Sequence, residues 1–233
     1  MPVDDVNTVA LLHMNGADGS ITFTDESGKV WTANGNAQID TAQSKFLGAC
    51  GLFDGTGDYI DTPDSADFDV GSGNFTIDFW IRPAAIDLVC YLCGQASSAG
   101  VDSSISWFVR LTALEEIAGG IVTGSTYKIA TTNGGAYAAN TWYHVALVRN
   151  GNTLTLYVDG VAAPGTADVT GVTANNSANK AAIGRLGEFD GLYYNGWIDE
   201  FRFSKGIARW TANFTPPTRE YAPSADLFLM WAV

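Results

Sequence analysis

Residues Trp142 to Ala162 read W-Y-H-V-A-L-V-R-N-G-N-T-L-T-L-Y-V-D-G-V-A, and their pattern decides the fold. Tyr143, Val145 and Leu147 alternate with His144, Ala146 and Val148. Both sets are mainly apolar, which predicts a strand covered on both faces. Asn150-Gly151 supplies two residues that tolerate positive φ, as the centre of a tight I′-type hairpin turn requires. The return arm sets Leu154, Leu156 and Val158 on one face and Thr155, Tyr157 and Asp159 on the other, and Asp159-Gly160 marks a second turn.

Outward from this hairpin the same grammar repeats. Phe75, Ile77, Phe79 and Ile81 alternate with Thr76, Asp78, Trp80 and Arg82 until Pro83, which has no N–H to donate, ends the strand. On the N-terminal side, Val9–Met14, Ile21–Phe23, Lys29–Ala33, Ala37–Thr41, Ala49–Phe53 and Asp58–Thr62 read as short strands. Asn15-Gly16, Asp18-Gly19, Asn34-Gly35 and Asp54-Gly-Thr-Gly57 punctuate them as turns. Asp64–Asp67 reads as a polar turn or a single helical turn. Leu88–Leu92, Ser106–Thr112, Ile117–Val122 and Tyr127–Thr131 continue the series. Ala167–Asn179 is small and polar and reads as a surface loop; Ala181–Leu186 and Trp197–Ser204 are the last strands. Many short strands without helical crossovers predict an all-β fold: a two-sheet antiparallel jelly-roll sandwich. The expected division is an N-terminal arm over 1–8, one domain over 9–221 and an apolar C-terminal tail over 222–233. In that tail, Leu227, Phe228, Leu229, Met230, Trp231 and Val233 suit strand addition to a partner or return to the domain's own edge.

Composition limits the function. Apolar residues make up 46% and charged residues 16% of the 233, enough to build a core and too few charges for a disordered chain. Twelve basic residues against 25 acidic ones give a formal charge of −13, which repels phosphate backbones and argues against nucleic-acid binding. The same charge keeps a protein soluble and suits a hard cation such as calcium. No apolar run approaches the ~20 residues of a spanning helix, so membrane insertion is not expected. Met1–Asp5 is polar and acidic, so no secretory signal is expected. Cys90 and Cys93 form a lone C-x-x-C; on a regular strand they face opposite ways, so they and Cys50 are expected as buried free thiols.

Four segments in order resemble the laminin-G-like, concanavalin A-like jelly-roll domain: Leu52-Phe-Asp-Gly-Thr-Gly-Asp-Tyr-Ile60, Phe75-Thr-Ile-Asp-Phe-Trp-Ile81, Trp142–Val148 leading into Leu156-Tyr-Val-Asp-Gly160, and Ile198-Asp-Glu-Phe-Arg-Phe203. The resemblance covers about Val9 to Tyr221. That fold hosts lectins, adhesion modules and glycosidase accessory domains, so it does not fix a function. Leu12–Gly19 and Gly206–Pro217 look like versions of the domain common in tailed-bacteriophage structural proteins. The resemblance therefore implies a non-enzymatic virion surface protein of the tail, fibre or capsid decoration, assembled in the host cytoplasm. Its implied partners are other virion proteins, further copies of itself as a homo-oligomer, and host-surface polysaccharide. A purely structural cement or adaptor is the alternative, and a polysaccharide-cleaving enzyme the remoter one.

Relatives with this jelly roll often hold one structural calcium ion outside the sheets, which by motif points to Asn15, Asp54 and Asp199. For a glycan, an aromatic platform with polar neighbours is needed. Phe189, Asp190, Tyr193, Tyr194 and Asn195 offer one, and Trp80, Trp107 and Arg110 another. Catalysis is not expected. His144 sits mid-strand among apolar neighbours and reads as a packed residue. Glu115-Glu116 and Asp199-Glu200 are adjacent pairs that a regular strand would point to opposite faces.

Overall fold

The computed structural model describes residues 6–46, 48–86, 88–97 and 102–221. The apolar tail and most of the N-terminal arm lie outside them. In chain order the strands are β1 (Thr8–Leu12), β2 (Thr32–Asn34), β3 (Gln38–Asp40), β4 (Cys50–Asp54), β5 (Tyr59–Thr62), β6 (Phe75–Pro83), β7 (Cys90–Gln95) and β8 (Trp107–Leu111). They continue with β9 (Ile117–Thr123), β10 (Thr126–Thr131), β11 (Tyr143–Asn150), β12 (Thr153–Val158), β13 (Val161–Ala162), β14 (Ala167–Asp168), β15 (Ala181–Ile183) and β16 (Asn195–Lys205). The only helical pieces among the described residues are two 3₁₀ turns, Ala66–Phe68 and Asp102–Ser104, and no described helix is long and apolar enough to cross a membrane.

The strands form two antiparallel sheets. A nine-stranded sheet runs β13-β12-β11-β6-β16-β4-β3, with β1 also on β16 and β14 on β12; a seven-stranded sheet runs β10-β9-β8-β7-β15-β5-β2. One core fills the space between them and takes alternate residues from each strand. It includes Phe75, Ile77, Phe79 and Ile81 of β6, Val145 and Leu147 of β11, and Trp107, Val109 and Leu111 of β8.

The organising hairpin forms with Asn150 opposite Thr153, so the two loop residues are Gly151 and Asn152 rather than Asn150 and Gly151. Only Gly151 (φ 56°) has positive φ, the pattern of a II′ turn. The I′ pattern sits at the next turn instead, where Asp159 (φ 48°) and Gly160 (φ 77°) both lie in the left-handed region. Glycine is required at 160 for a second reason: a Cβ there would stand 1.8 Å from the Phe214 carbonyl oxygen.

That contact belongs to a strap, residues 206–221, laid across the outer face of the nine-stranded sheet. Trp210 and Phe214 stack at 4.0 Å and cover Ala146, Val148 and Tyr157. The strap explains why both faces of β11 are apolar.

The expected strand Ile21–Phe23 is absent, and only Thr32–Ala33 of the expected Lys29–Ala33 is kept, in β2. Residues 21–31 carry no ladder; Phe23 and Trp31 enter the core singly. The buried Asp25 carboxylate takes the Leu11 and Ser27 backbone N–H groups and the Trp31 indole N–H, holding the loop by side chain instead of by sheet.

Two bulges break the period of two. In β7 the register shifts between Tyr91 and Cys93, so Cys90, Leu92 and Cys93 all face the core. Both thiols are free, and burial pushes the Cys90 thiol up to about 12. In β16 the shift lies between Asp199 and Arg202, and Glu200 adopts φ 53°. Ile198 and Phe201 both enter the core, so Asp199 and Glu200 make their excursion together on the outer side. This corrects the expectation that they face opposite ways.

Candidate functional site

Beneath the core, the seven-stranded sheet turns its other face outward. Ile60 of β5 is in the core, so alternation sends Tyr59 and Asp61 out. A cross-strand row runs Asp61, Ala182, Gly94, Phe108, Gly120 and Ile129. Small residues flank the Phe108 ring because it needs the room: a Cβ on Gly120 would lie 2.7 Å from its Cζ. Tyr91 packs edge-on against Phe108 at 5.9 Å, and Tyr127 does the same from the other side at 5.9 Å. Arg110, opposite Tyr91 in register, sets its guanidinium 5.5 Å from the Phe108 ring. Its Nε has no hydrogen-bond partner.

The loop 184–194 folds over one end of this face. Gly187 and Glu188 donate their N–H groups to the Gly94 and Ala96 carbonyls. Gly187 (φ 47°) passes so close that a Cβ would meet the Ala96 nitrogen at 2.2 Å. Leu186 is buried against Tyr91 and Phe108, and Phe189 packs half-buried beside them. Tyr193 stacks on Tyr59 at 6.1 Å and 23°. The Arg185 guanidinium lies 3.4 Å over the Tyr59 ring, and Asp61 pairs with Lys180 at 3.1 Å and Arg185 at 3.8 Å. The Tyr193 hydroxyl donates to exposed Asp190, and that bond pushes the phenol above its usual range. The result is a half-exposed aromatic surface with two guanidinium groups and a carboxylate at its edge.

Of the residues expected to bind glycan, Phe189, Asp190, Tyr193 and Arg110 are brought together here. Three are not. Tyr194 is fully buried in the core, and its hydroxyl donates to the Trp197 carbonyl. Trp107 is also core, 1% exposed, with its indole N–H on the Phe68 carbonyl. The rule that separates residues three apart on a strand separates it from Arg110. Asn195 opens β16 opposite Asp54 in the nine-stranded sheet. Trp80 belongs to the far side of the sandwich, where it packs on His144 at 5.1 Å. Tyr59, Tyr91, Phe108, Tyr127 and Arg185 belong to this face too, although they are not among the residues expected from the sequence. Tyr59-Ile-Asp61 carried a usable signal, since Ile60 inward implies its neighbours outward.

The expected calcium set does not assemble. Asn195 is opposite Asp54 and Ile198 is opposite Gly51. Asp199 therefore lies four residues along β16 from the level of Asp54, about 13 Å, too far to share one ion. The Asp54 carboxylate caps its own turn through the Thr56 N–H. Asp199 accepts from the Lys45 N–H and is pushed up to about 7, chiefly by burial. The Asn15 amide donates to Glu220.

The outer face of the nine-stranded sheet holds a buried polar network. Arg202 makes two bonds to the Asp78 carboxylate, 3.1 and 3.0 Å. The Tyr221 hydroxyl donates to the same carboxylate, and His144 Nε2 lies 3.6 Å from it and 3.3 Å from that hydroxyl. Asp78, His144 and Arg202 are all fully buried, under Trp80, Trp210 and the strap, so no substrate reaches them. Burial pushes the Asp78 carboxyl up, but the Arg202 charge and the His144 imidazole outweigh it and hold it down to about 2.

Comparison with known proteins bears on the fold. The family model for the concanavalin A-like lectin/glucanases superfamily matches residues 54–209. No curated protein sequence matches significantly. Among solved structures, the binding domain of Paraclostridial Mosquitocidal Protein 1 superposes with a TM-score of 0.64 at 16% identity, over 86% of this chain and 49% of that one. The binding domain of botulinum neurotoxin DC in complex with SialylT gives 0.62 at 14%, over 87% and 49%. The same neurotoxin's binding domain with rat synaptotagmin II gives 0.63 at 15%, over 86% and 49%. The chain spans about half the length of these structures.

Proposed function

The chain belongs to the concanavalin A-like lectin/glucanases superfamily, and on that premise we propose that it is a non-catalytic, lectin-like module that binds carbohydrate on the outer face of its seven-stranded sheet. The observation that carries this reading is the half-exposed Tyr59–Tyr193 stack with Arg185 and Asp190 at its rim. Aromatic faces stack on the apolar side of a sugar ring while charged and amide groups bond its hydroxyls. Arg110, whose guanidinium lies 5.5 Å from the Phe108 ring, extends the platform along the same face. Two structural neighbours, about half of whose length this chain matches, are binding domains in complex with SialylT or with rat synaptotagmin II, which is consistent with a recognition role. A glycan array probed with the full chain, followed by calorimetry on the best oligosaccharide, tests it. Tyr193→Ala is expected to weaken binding about 10-fold or more, since loss of one stacking contact removes roughly 0.5–1.5 kcal/mol before its hydroxyl's bonds are counted. Absence of any saccharide ligand, or unaltered affinity in Tyr193→Ala, would overturn the reading.

The proposed setting is the surface of a bacteriophage particle, supported by the resemblance of Leu12–Gly19 and Gly206–Pro217 to phage structural domains. A second reading, a cement or adaptor, is favoured by one feature. Ile21 and Val30 stand 68% and 75% exposed beside a groove of about 500 Å³ floored by Phe23 and Trp31. Mass spectrometry of purified particles tests both. The chain's absence would sink the virion setting. Its presence, with loss of an Ile21→Asp, Val30→Asp variant from particles, would favour the assembly role.

A further inference from the structure

We propose that His13, Glu200 and Glu220 form a site for a zinc-like divalent transition-metal ion, where the first strand, the bulge of the last strand and the C-terminal strap meet. The three residues come from distant parts of the chain and converge for separate reasons. Leu12 is opposite Phe201 in the β1–β16 ladder, which brings the next residue, His13, beside Glu200. The bulge at Glu200 turns its carboxylate out of the core and buries it under the strap. Tyr221, fixed through its hydroxyl to Asp78 and through its N–H to Glu200 Oε2 at 2.8 Å, holds the preceding Glu220 over the same point.

One ligand atom from each residue lies within 4.8 Å of the others, and among the described residues no other group of three such side chains meets that test. His13 Nδ1 and Glu200 Oε1 are 2.6 Å apart. An ion bound at about 2.0–2.2 Å in tetrahedral geometry needs its ligands roughly 3.3 Å apart. Small rotations of the partly exposed His13 and Glu220 side chains reach that spacing from both sides. The Asn15 Oδ1, on the amide whose NH2 donates to Glu220, or a water completes the shell.

The donor set chooses the metal. Calcium takes six to eight oxygens, whereas one imidazole with two carboxylates suits zinc and its neighbours in the transition series. Electrostatics point the same way. Glu200 and Glu220 both face His13, and Asp199 precedes Glu200 at the same bulge. Three carboxylates crowded against one imidazole leave a surplus of negative charge that a divalent cation neutralises.

The test is calorimetric titration of the chelator-stripped full chain with zinc alone, and separately with calcium, at a pH above the imidazole range. The expected result is one zinc per chain, reversed by chelator, with calcium weaker. His13→Gln and Glu220→Gln should each weaken zinc by more than the roughly 10–100-fold that loss of a merely supporting partner causes. Both residues are partly exposed, so both variants should keep the wild-type circular-dichroism spectrum. No stoichiometric zinc uptake, a preference for calcium, or zinc affinity unchanged in either variant would overturn the proposal.

Discussion

Replacing Asp78 by alanine is expected to destabilise the fold by about 3–5 kcal/mol at neutral pH, the largest effect of any single charge removal considered. Asp78 and Arg202 are both fully buried, so the alanine leaves a guanidinium without its carboxylate in a site closed to water. It also deprives the Tyr221 hydroxyl of its acceptor, loosening the strap at its end. The paired variant Asp78→Leu, Arg202→Met should recover most of the loss, because a desolvated ion pair is often matched by apolar residues of similar volume. Denaturant unfolding of the three chains decides it; a double variant no better than Asp78→Ala would contradict the assignment. The same carboxylate predicts a pH limb. Its folded pKa of about 2 lies below the unfolded value near 3.9, so the native state binds fewer protons and stability rises with pH. The contribution, on the order of 2–3 kcal/mol, is present above roughly pH 4 and is lost as pH falls toward 2. Asp78→Asn should flatten that limb.

Trp107→Ala is expected to cost about 3–5 kcal/mol, the range for deleting a buried large aromatic, and to leave saccharide affinity per folded molecule unchanged. Its ring contacts Phe203 at 5.0 Å and Phe68 at 6.3 Å, both fully buried. Tyr193→Ala should show the converse, with stability within about 1 kcal/mol of wild type and binding weakened about 10-fold or more. Thermal unfolding alongside calorimetry separates the two. A Trp107→Ala chain that stays stable but loses ligand would restore Trp107 to the binding surface.

These paired outcomes mark where reading the chain alone works. The alternation at Phe75–Arg82 and in the 142–162 hairpin follows from local side-chain period, and both strands stand where expected. The turn at Asn150-Gly151 is offset by one residue because the ladder closes at Asn150–Thr153, a register set by packing rather than by turn chemistry. The bulges in β7 and β16 are not legible at all. Nothing local to Tyr91–Cys93 or Asp199–Arg202 demands an extra residue; each arises because two neighbouring strands must be satisfied at once. That is why the cysteines and the Asp199-Glu200 pair were assigned wrong faces, and why His13, Glu200 and Glu220 could not be seen to converge. The binding face was half legible. Tyr193 and Asp190 stand out in a polar loop, whereas Tyr194 beside them looks identical and is core. Trp107 and Arg110 could have been separated by the period of two alone.

An amide-resolved NMR titration with the best saccharide from the array locates carbohydrate binding on or off the outer face of the seven-stranded sheet. Shifts are expected at Tyr59, Arg110, Tyr127 and the 184–194 loop, with the strap and the nine-stranded sheet unchanged. Shifts confined to the strap, or to the groove beside Ile21 and Val30, would contradict it.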